Sequence, residues 1–220
     1  MEPNVRLAIF DLDGTITRRD TLTPYVFGYL WRKRPWRFPL LLLMLPVVLG
    51  YGLRIIGRGG LKAGLVLLAM GGCRRKSIEQ WTETFVSALL ADGVYPEAVA
   101  AIQAHARAGD HLVLLSASID LYVPAIAQAL GFEEAICTGV RWRGERLWGT
   151  LTTPNRRGKE KARCVADLRA RHPGMQTVAY GNASSDLAHL KLVERGVLVN
   201  GSKHARREAS GEAIMCADWW

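Results

Sequence analysis

At 220 residues and 49% hydrophobic content, the chain is long enough for one domain with a sizeable core, or for a domain carrying an insertion. Twenty-nine Lys+Arg against 20 Asp+Glu give a net charge of +9, which calls for an anionic partner: nucleic acid, a membrane surface or a phosphorylated substrate. Four scattered cysteines (Cys73, Cys137, Cys164, Cys216) form no CxxC pair, which argues against a disulfide framework or a zinc site and for reduced thiols in a cytosolic setting.

The opening "MEPNVRLAIF" has no basic start leading into an apolar stretch, so no signal peptide is expected. Val5 to Phe10 reads as a buried strand and runs straight into "DLDGT". Residues one apart on extended backbone point the same way, so Asp11 and Asp13 face one spot. Two carboxylates so placed repel unless a cation or a shared proton relieves them, and Mg²⁺ suits oxygen ligands. Gly14 lets the backbone turn sharply and offer amide N–H groups to an anion. An isolated Asp-X-Asp-Gly run is also a common turn or calcium-loop fragment, so the elements that follow decide its meaning.

Arg18 to Asp92 breaks the alternation of strands and helices and reads as an inserted, mostly helical cap. Between Arg18 and Lys76 stand twelve basic residues and one acid, Asp20. That stretch is net +11 against +9 for the whole chain, so the charge is regional. Phe38 to Leu53 is sixteen uncharged residues interrupted by Pro39 and Pro46 and closed by Arg54. As a helix it would reach roughly 24 Å, short of a hydrocarbon core of about 30 Å. A second apolar run, Gly59 to Cys73, contains Lys62. The two are expected to form a hairpin lying in or dipping into one leaflet. Tyr29, Trp31 and Trp36 stand among Arg32, Lys33, Arg34 and Arg37, the residue types that anchor a chain at a bilayer interface. An anionic membrane surface contacted through residues 29–76 is therefore the expected partner; the rival is a soluble cap with a solvated basic edge. Nucleic acid is not expected, because the Leu-rich run between the basic clusters offers nothing to a base or phosphate. "SIEQWTETFVSALL" reads as an amphipathic helix closing the cap.

Beyond the cap, "HLVLLS" (111–116), "QTVAYG" (176–181) and "GVLVN" (196–200) read as further buried strands. Helical patterns cover Ile119 to Leu130, Lys159 to Arg171 and Ser185 to Glu194, and Thr138 to Leu151 reads as a hairpin turning at Arg143-Gly144-Glu145. Such alternation predicts an α/β fold: a Rossmann-like parallel sheet covered on both faces, with the helical cap inserted after the first strand. The expected division is a core of residues 1–17 and 93–220 and a cap of residues 18–92. Trp219 and Trp220 at the end are either a further interfacial anchor or packed on the core.

Four ordered segments now carry a resemblance. "FDLDGT", "LLSAS" (114–118), "GKEKARCVADL" (158–168) and "AYGNASSD" (179–186) resemble the four signatures of the haloacid dehalogenase-like (HAD) superfamily, with a cap similar to its phosphoserine-phosphatase-like subgroup. The resemblance implies a Mg²⁺-dependent phosphatase. Asp11 would be the nucleophile that forms an aspartyl-phosphate, and Asp13 the acid that protonates the leaving oxygen and then activates water. A halide leaves without a proton, so Asp13 speaks against the dehalogenase branch. Ser116, with Ala117 and Gly14, would bind the phosphoryl group. The rival for a serine here is a helix cap, for which Ser118 is the better placed. Lys161 would neutralise charge on the phosphoryl group and on Asp11, with Lys159 as its competitor. Asp11, Asp13, Asn182 and Asp186 would hold the metal. Asn182 stands where the family usually has Asp, which is expected to weaken Mg²⁺ binding.

The cap phrases "YLWRKRPWRFPLLLLMLPVV" and "TFVSALL" resemble the cap of the bacterial C-type phosphatidylglycerophosphate phosphatases. The expectation is therefore hydrolysis of a lipid phosphate at the cytoplasmic face of the membrane. The alternatives are a cytoplasmic phosphatase of a soluble metabolite such as phosphoserine or a sugar phosphate, and a weakened, non-catalytic membrane-binding protein.

Overall fold

The computed structural model describes residues 5–220; the expectation about a signal peptide rests partly on residues 1–4, which lie outside the described residues. Strand β1 (Leu7–Phe10) is buried throughout. Helix α1 (Leu22–Lys33), a 3-10 stretch (Pro35–Met44), α2 (Leu45–Gly52), α3 (Arg58–Met70) and α4 (Arg75–Asp92) follow it. Helix α5 (Pro96–Arg107) leads into β2 (His111–Ile119), α6 (Val123–Leu130) and β3 (Glu134–Thr138). A hairpin of β4 (Val140–Arg143) and β5 (Arg146–Leu151) precedes α7 (Lys159–Arg171) and β6 (Thr177–Gly181). The chain closes with α8 (Leu187–Leu190), β7 (Arg195–Val199), α9 (Lys203–Ala209) and β8 (Ile214–Ala217).

Six strands form one parallel sheet in the order β3-β2-β1-β6-β7-β8. The chain steps outward from β1 through β2 and β3, then returns to the other side of β1 for β6, β7 and β8. The order reverses beside β1, which is where open α/β sheets place ligands, at the carboxyl ends of the strands. Alternate residues of each strand serve opposite faces. Leu7, Ile9, Val113 and Leu115 pack under α7, with Cys164, Val165 and Leu168. Ala8, Phe10, Leu112 and Leu114 share a second cluster with Tyr25, Tyr29, Met70 and Trp81 of the inserted helices, so one apolar core runs from sheet to insertion.

Several expectations are corrected. The helix foreseen from Ile119 begins at Val123, because β2 continues to Ile119 through an irregularity in its pairing after Leu115. Ser185 to Glu194 is not one helix but a 3-10 turn (Ser184–Asp186) followed by the single turn α8. Thr138 belongs to β3, so the hairpin starts at Val140. The second apolar run pairs with the first, where a Cβ on Gly64 would meet Met44 Sδ at 3.0 Å, but it does not lie free at the surface. Helix α3 buries Val66, Ala69 and Met70 in the core, and a Cβ on Gly149 of β5 would sit 2.7 Å from the Leu67 Cα, so only glycine lets hairpin and helix approach this closely. The hairpin also bonds the α3–α4 connection: Gly72 N donates to Leu147 O (2.7 Å) and Arg75 N to Glu145 O (2.9 Å).

The first apolar run behaves oppositely. Among the described residues, Pro35–Gly52 is the one helical segment long and apolar enough to cross a membrane, and none of it is buried. The terminal tryptophans part company: Trp219 packs near Tyr180 and donates its backbone N–H to Asn200 Oδ1 (2.8 Å), whereas Trp220 is exposed.

Candidate active site

A cavity of about 160 Å³ opens at the carboxyl ends of β1, β2 and β6. Asp11, the residue after β1, extends the ladder by one bond, its N–H donating to Tyr180 O (3.0 Å). Its carboxylate therefore starts from a fixed backbone at the cavity floor. Oδ1 accepts from Lys161 Nζ at 2.6 Å and Oδ2 from Thr15 Oγ1 at 3.0 Å. Asp13 also lines the cavity. Its Oδ1 accepts from the amide (2.8 Å) and hydroxyl (2.6 Å) of Thr21, and its Oδ2 from Ser118 Oγ (2.6 Å).

Lys161 lies in the first turn of α7 and is buried, while its competitor Lys159 is exposed. Its ammonium bridges Asp11 and Asp186 (3.0 Å to Oδ1). Asp186 in turn closes the loop after β6, its Oδ2 accepting from the amides of Asn182 (3.2 Å) and Ala183 (3.0 Å). Asn182 lines the cavity, whereas Gly14, expected to help bind the phosphoryl group, is not among the residues that line it. Gly14 has φ +80°, and a Cβ there would meet Asn182 Nδ2 at 2.0 Å, so the two loops close on each other only because Gly14 has no side chain.

Burial sets the electrostatics. It pushes the Asp11 carboxyl up to about 7, against the pull of Lys161 and with a further push from Asp186 and Asp13. Burial also raises Asp13, though its bonds to Ser118 and Thr21 oppose this. At Asp186 burial acts in the same sense but is overridden by Lys161, which holds that carboxyl down at about 2. Burial alone would lower Lys161, yet Asp11 and Asp186 raise it, so it stays protonated. His189, fully buried on α8, has neither ring nitrogen hydrogen-bonded, and burial pushes it down to about 3, so it is neutral. Two carboxylates, Asp11 and Asp186, thus share one deeply buried ammonium, while Asp13 is held by Thr21 and Ser118. Asp11, Asp13 and Asp186 bring carboxylate oxygens, and Asn182 a side-chain carbonyl, to the cavity, the donors that a hard divalent cation takes.

Ser116 and Ser118 stand differently from expectation. Ser116 is fully buried, does not line the cavity and accepts the amide of Ser118 at 3.0 Å. Ala117 and Ser118 line the wall instead. Ser118 is no helix cap: it lies within β2, Tyr122 occupies the cap position of α6, and the Ser118 hydroxyl is spent on Asp13.

The sequence reading also missed an outer ring. Arg58 and Lys62 of α3 reach the cavity, as do Asn155, Arg156 and Arg157 ahead of α7. Lys62 Nζ donates to Ala117 O and to Asn155 Oδ1 (2.7 Å), and burial pushes its ammonium down to about 8. A lone cation inside an apolar helix, and two arginines just before the lysine helix, were the available signals.

Comparison with known proteins places this geometry. The model of the haloacid dehalogenase-like hydrolases matches residues 8–191. Protein CicA of Caulobacter vibrioides is 32% identical over 203 residues, covering 90% of this chain and 88% of that protein. A Bordetella pertussis protein of unknown function superposes with a TM-score of 0.80 at 22% identity, over 98% of this chain and 99% of that one. A substrate-bound phosphoserine phosphatase superposes with a TM-score of 0.67 at 14% identity, over 97% and 92%.

Proposed function

Since the chain belongs to the haloacid dehalogenase-like hydrolases, we propose that it is a phosphomonoesterase acting on a lipid phosphate at a membrane surface. The observation that carries the chemistry is the Asp11 carboxylate fixed at the cavity floor by Lys161 and Thr15, with the Asp13 carboxyl beside it. A carboxylate oxygen of Asp11 attacks phosphorus and the ester oxygen departs. That oxygen takes the proton of Asp13, whose raised pKa keeps the acid form accessible. Asp13, now a carboxylate, takes a proton from water as the water attacks the aspartyl-phosphate. Inorganic phosphate leaves and Asp11 is restored. Lys161 holds positive charge against Asp11 and the phosphoryl oxygens throughout. Mg²⁺, held by Asp11, Asn182 and the loop that Asp186 fixes, would supply charge neutralisation of the phosphoryl group.

The membrane part of the reading rests on the insertion. Trp31 (72% exposed), Trp36 (68%), Leu42 (67%), Leu49 (65%) and Ile55 (78%) face outward, and large apolar side chains exposed along one segment favour a membrane or partner contact. This surface adjoins the cavity. Lys62 lines the cavity, and two residues further along α3 a Cβ on Gly64 would meet Met44 Sδ at 3.0 Å. Helix α3, which borders the cavity through Arg58 and Lys62, thus also carries the apolar segment.

The deciding experiment is phosphate release with Mg²⁺ present, comparing lipid phosphates in mixed micelles with soluble phosphomonoesters. Preference for the lipids supports the reading; a preference of tenfold or more for phosphoserine or a sugar phosphate, about 1.4 kcal/mol of discrimination, replaces it with the soluble alternative. Loss of all turnover in Asp11→Asn is expected, and retained turnover would reject Asp11 as nucleophile.

A further inference from the structure

We propose that a groove between α3, the 3-10 stretch and the β4–β5 hairpin seats one anionic phospholipid of the bilayer, apart from any lipid in the catalytic cavity. The proposal rests on the membrane-surface reading above and adds the core hairpin to the contact.

The groove has a volume of about 440 Å³. Leu40, Leu67 and Leu68 form an apolar trough, and Trp148 stands at its edge, 39% exposed. Arg37, Arg143 and Arg146 rim it, and no acidic side chain lines it. Each arginine is held in place without its charge being matched. Arg37 donates to Gly71 O (2.7 Å) and Arg146 to Gly72 O (2.9 Å), while Arg143 lies over the Trp148 ring at 3.4 Å. None of the three has a carboxylate partner among the described residues. Glu145 at the hairpin tip is turned to Arg75 instead (3.8 Å).

A guanidinium has five N–H donors in a planar fork, so the two backbone bonds of Arg37, to Leu68 O and Gly71 O, and the one of Arg146 leave most of them for an anion. Three such forks around an apolar trough match one chemistry: a phosphodiester headgroup with hydrocarbon attached. The trough is also continuous with the exposed apolar segment, since Leu40 belongs to both. A bilayer that received Leu42 and Leu49 would therefore bring its headgroups to Arg143 and Arg146. An acidic peptide would satisfy the arginines but leave the leucines and the apolar segment in water.

The test uses the full chain carrying Asp11→Asn, so that binding is read without turnover. Its affinity is measured for phosphatidylcholine vesicles doped with phosphatidylglycerol. Adding Arg143→Ala and Arg146→Ala is expected to weaken that affinity about thirtyfold, corresponding to about 1 kcal/mol per arginine. In the Asp11-intact chain the same pair should leave turnover of a soluble aryl phosphate at its parent level, which checks the fold. Trp148→Phe, a gentler change, should lower the quenching of tryptophan fluorescence by bromine-labelled acyl chains. If the parent ignores doped vesicles, the membrane reading falls and this proposal falls with it. If the parent binds but the arginine pair changes affinity less than twofold, or Trp148→Phe leaves quenching as it was, the groove is overturned and the membrane reading stands.

Discussion

Gly14→Ala is the sharpest perturbation that the structure offers. Gly14 has φ +80°, and an L-residue held in the left-handed region costs about 1–2 kcal/mol. The new Cβ would lie 2.0 Å from Asn182 Nδ2 and 2.9 Å from its Cγ. Non-bonded heavy atoms settle at about 3.5 Å, so Asn182 must retreat by roughly 1.5 Å. Misplacing a site group by about 1 Å costs up to 10²-fold in rate. Gly14→Ala should therefore lose about 1–2 kcal/mol of stability in urea unfolding and about a hundredfold in kcat on an aryl phosphate. The two effects separate in a double-mutant cycle with Asn182→Ala, which removes the atoms in the way. The double variant should turn over like Asn182→Ala alone while keeping the stability loss. Multiplying rate losses, or a Gly14→Ala enzyme within about threefold of the parent, under 1 kcal/mol of barrier, would refute the argued contact.

Lys161→Met removes the one cation buried against Asp11 and Asp186; turnover should disappear and stability should drop by about 3–5 kcal/mol, read by urea unfolding. Asn182→Asp adds a carboxylate to the cavity wall, and titration of turnover against Mg²⁺ should show a lower half-saturating concentration; an unchanged value would put Asn182 outside the cation's reach. Without added cation, the folded Asp11 titrates near 7, above its ordinary 3.8. The folded state then holds the extra proton, so this residue makes stability fall as pH rises from about 4 to about 7. His189 has the opposite sign. Its folded value near 3 lies below the ordinary 6.5, so its contribution is present above about 6.5 and is lost as pH falls toward 3. In cation-free unfolding from pH 4 to 7, Asp11→Asn should tilt the stability profile upward with pH and His189→Leu should tilt it downward; the reverse tilts would contradict the assigned burial costs.

Much of the fold was legible because its signals are local. β1 and β6 are continuous apolar runs with every residue buried, and the lysine of α7 stands at a fixed offset from a helix start. What was missed depends on tertiary closure. β8 is a run of only four apolar residues, Ile214 to Ala217, and all of them are intermediate or exposed, so nothing marks it as a buried strand. The sequence favours Ser116 for the phosphoryl contact and Ser118 for a helix cap, and only the irregular end of β2 decides that Ser118 reaches Asp13. The two apolar runs of the insertion look alike by composition, yet α3 buries Val66, Ala69 and Met70 in the core while Pro35–Gly52 buries none of its residues and touches the core through Phe38 and Leu41. No residue count distinguishes them; the hairpin glycine that admits α3, Gly149, is some 80 residues downstream of it.

The same closure changes what the basic insertion means. From the sequence, its twelve bases read as a single cationic surface. In the fold they divide by direction. Arg58 and Lys62 turn inward to the cavity, where Lys62 is joined to the β2 end and to Asn155. Arg37 turns toward the end of α3 and the hairpin groove. Trp31 and Trp36 remain outside beside Arg32 and Lys33. A phosphoryl group needs positive charge at short range in a dry pocket, whereas attraction to an anionic surface acts over roughly a Debye length, about 8 Å at physiological salt. High salt should therefore release the protein from anionic vesicles well before it affects hydrolysis of a soluble ester. If both decline together along one salt titration, the inward and outward charges are not separate in function.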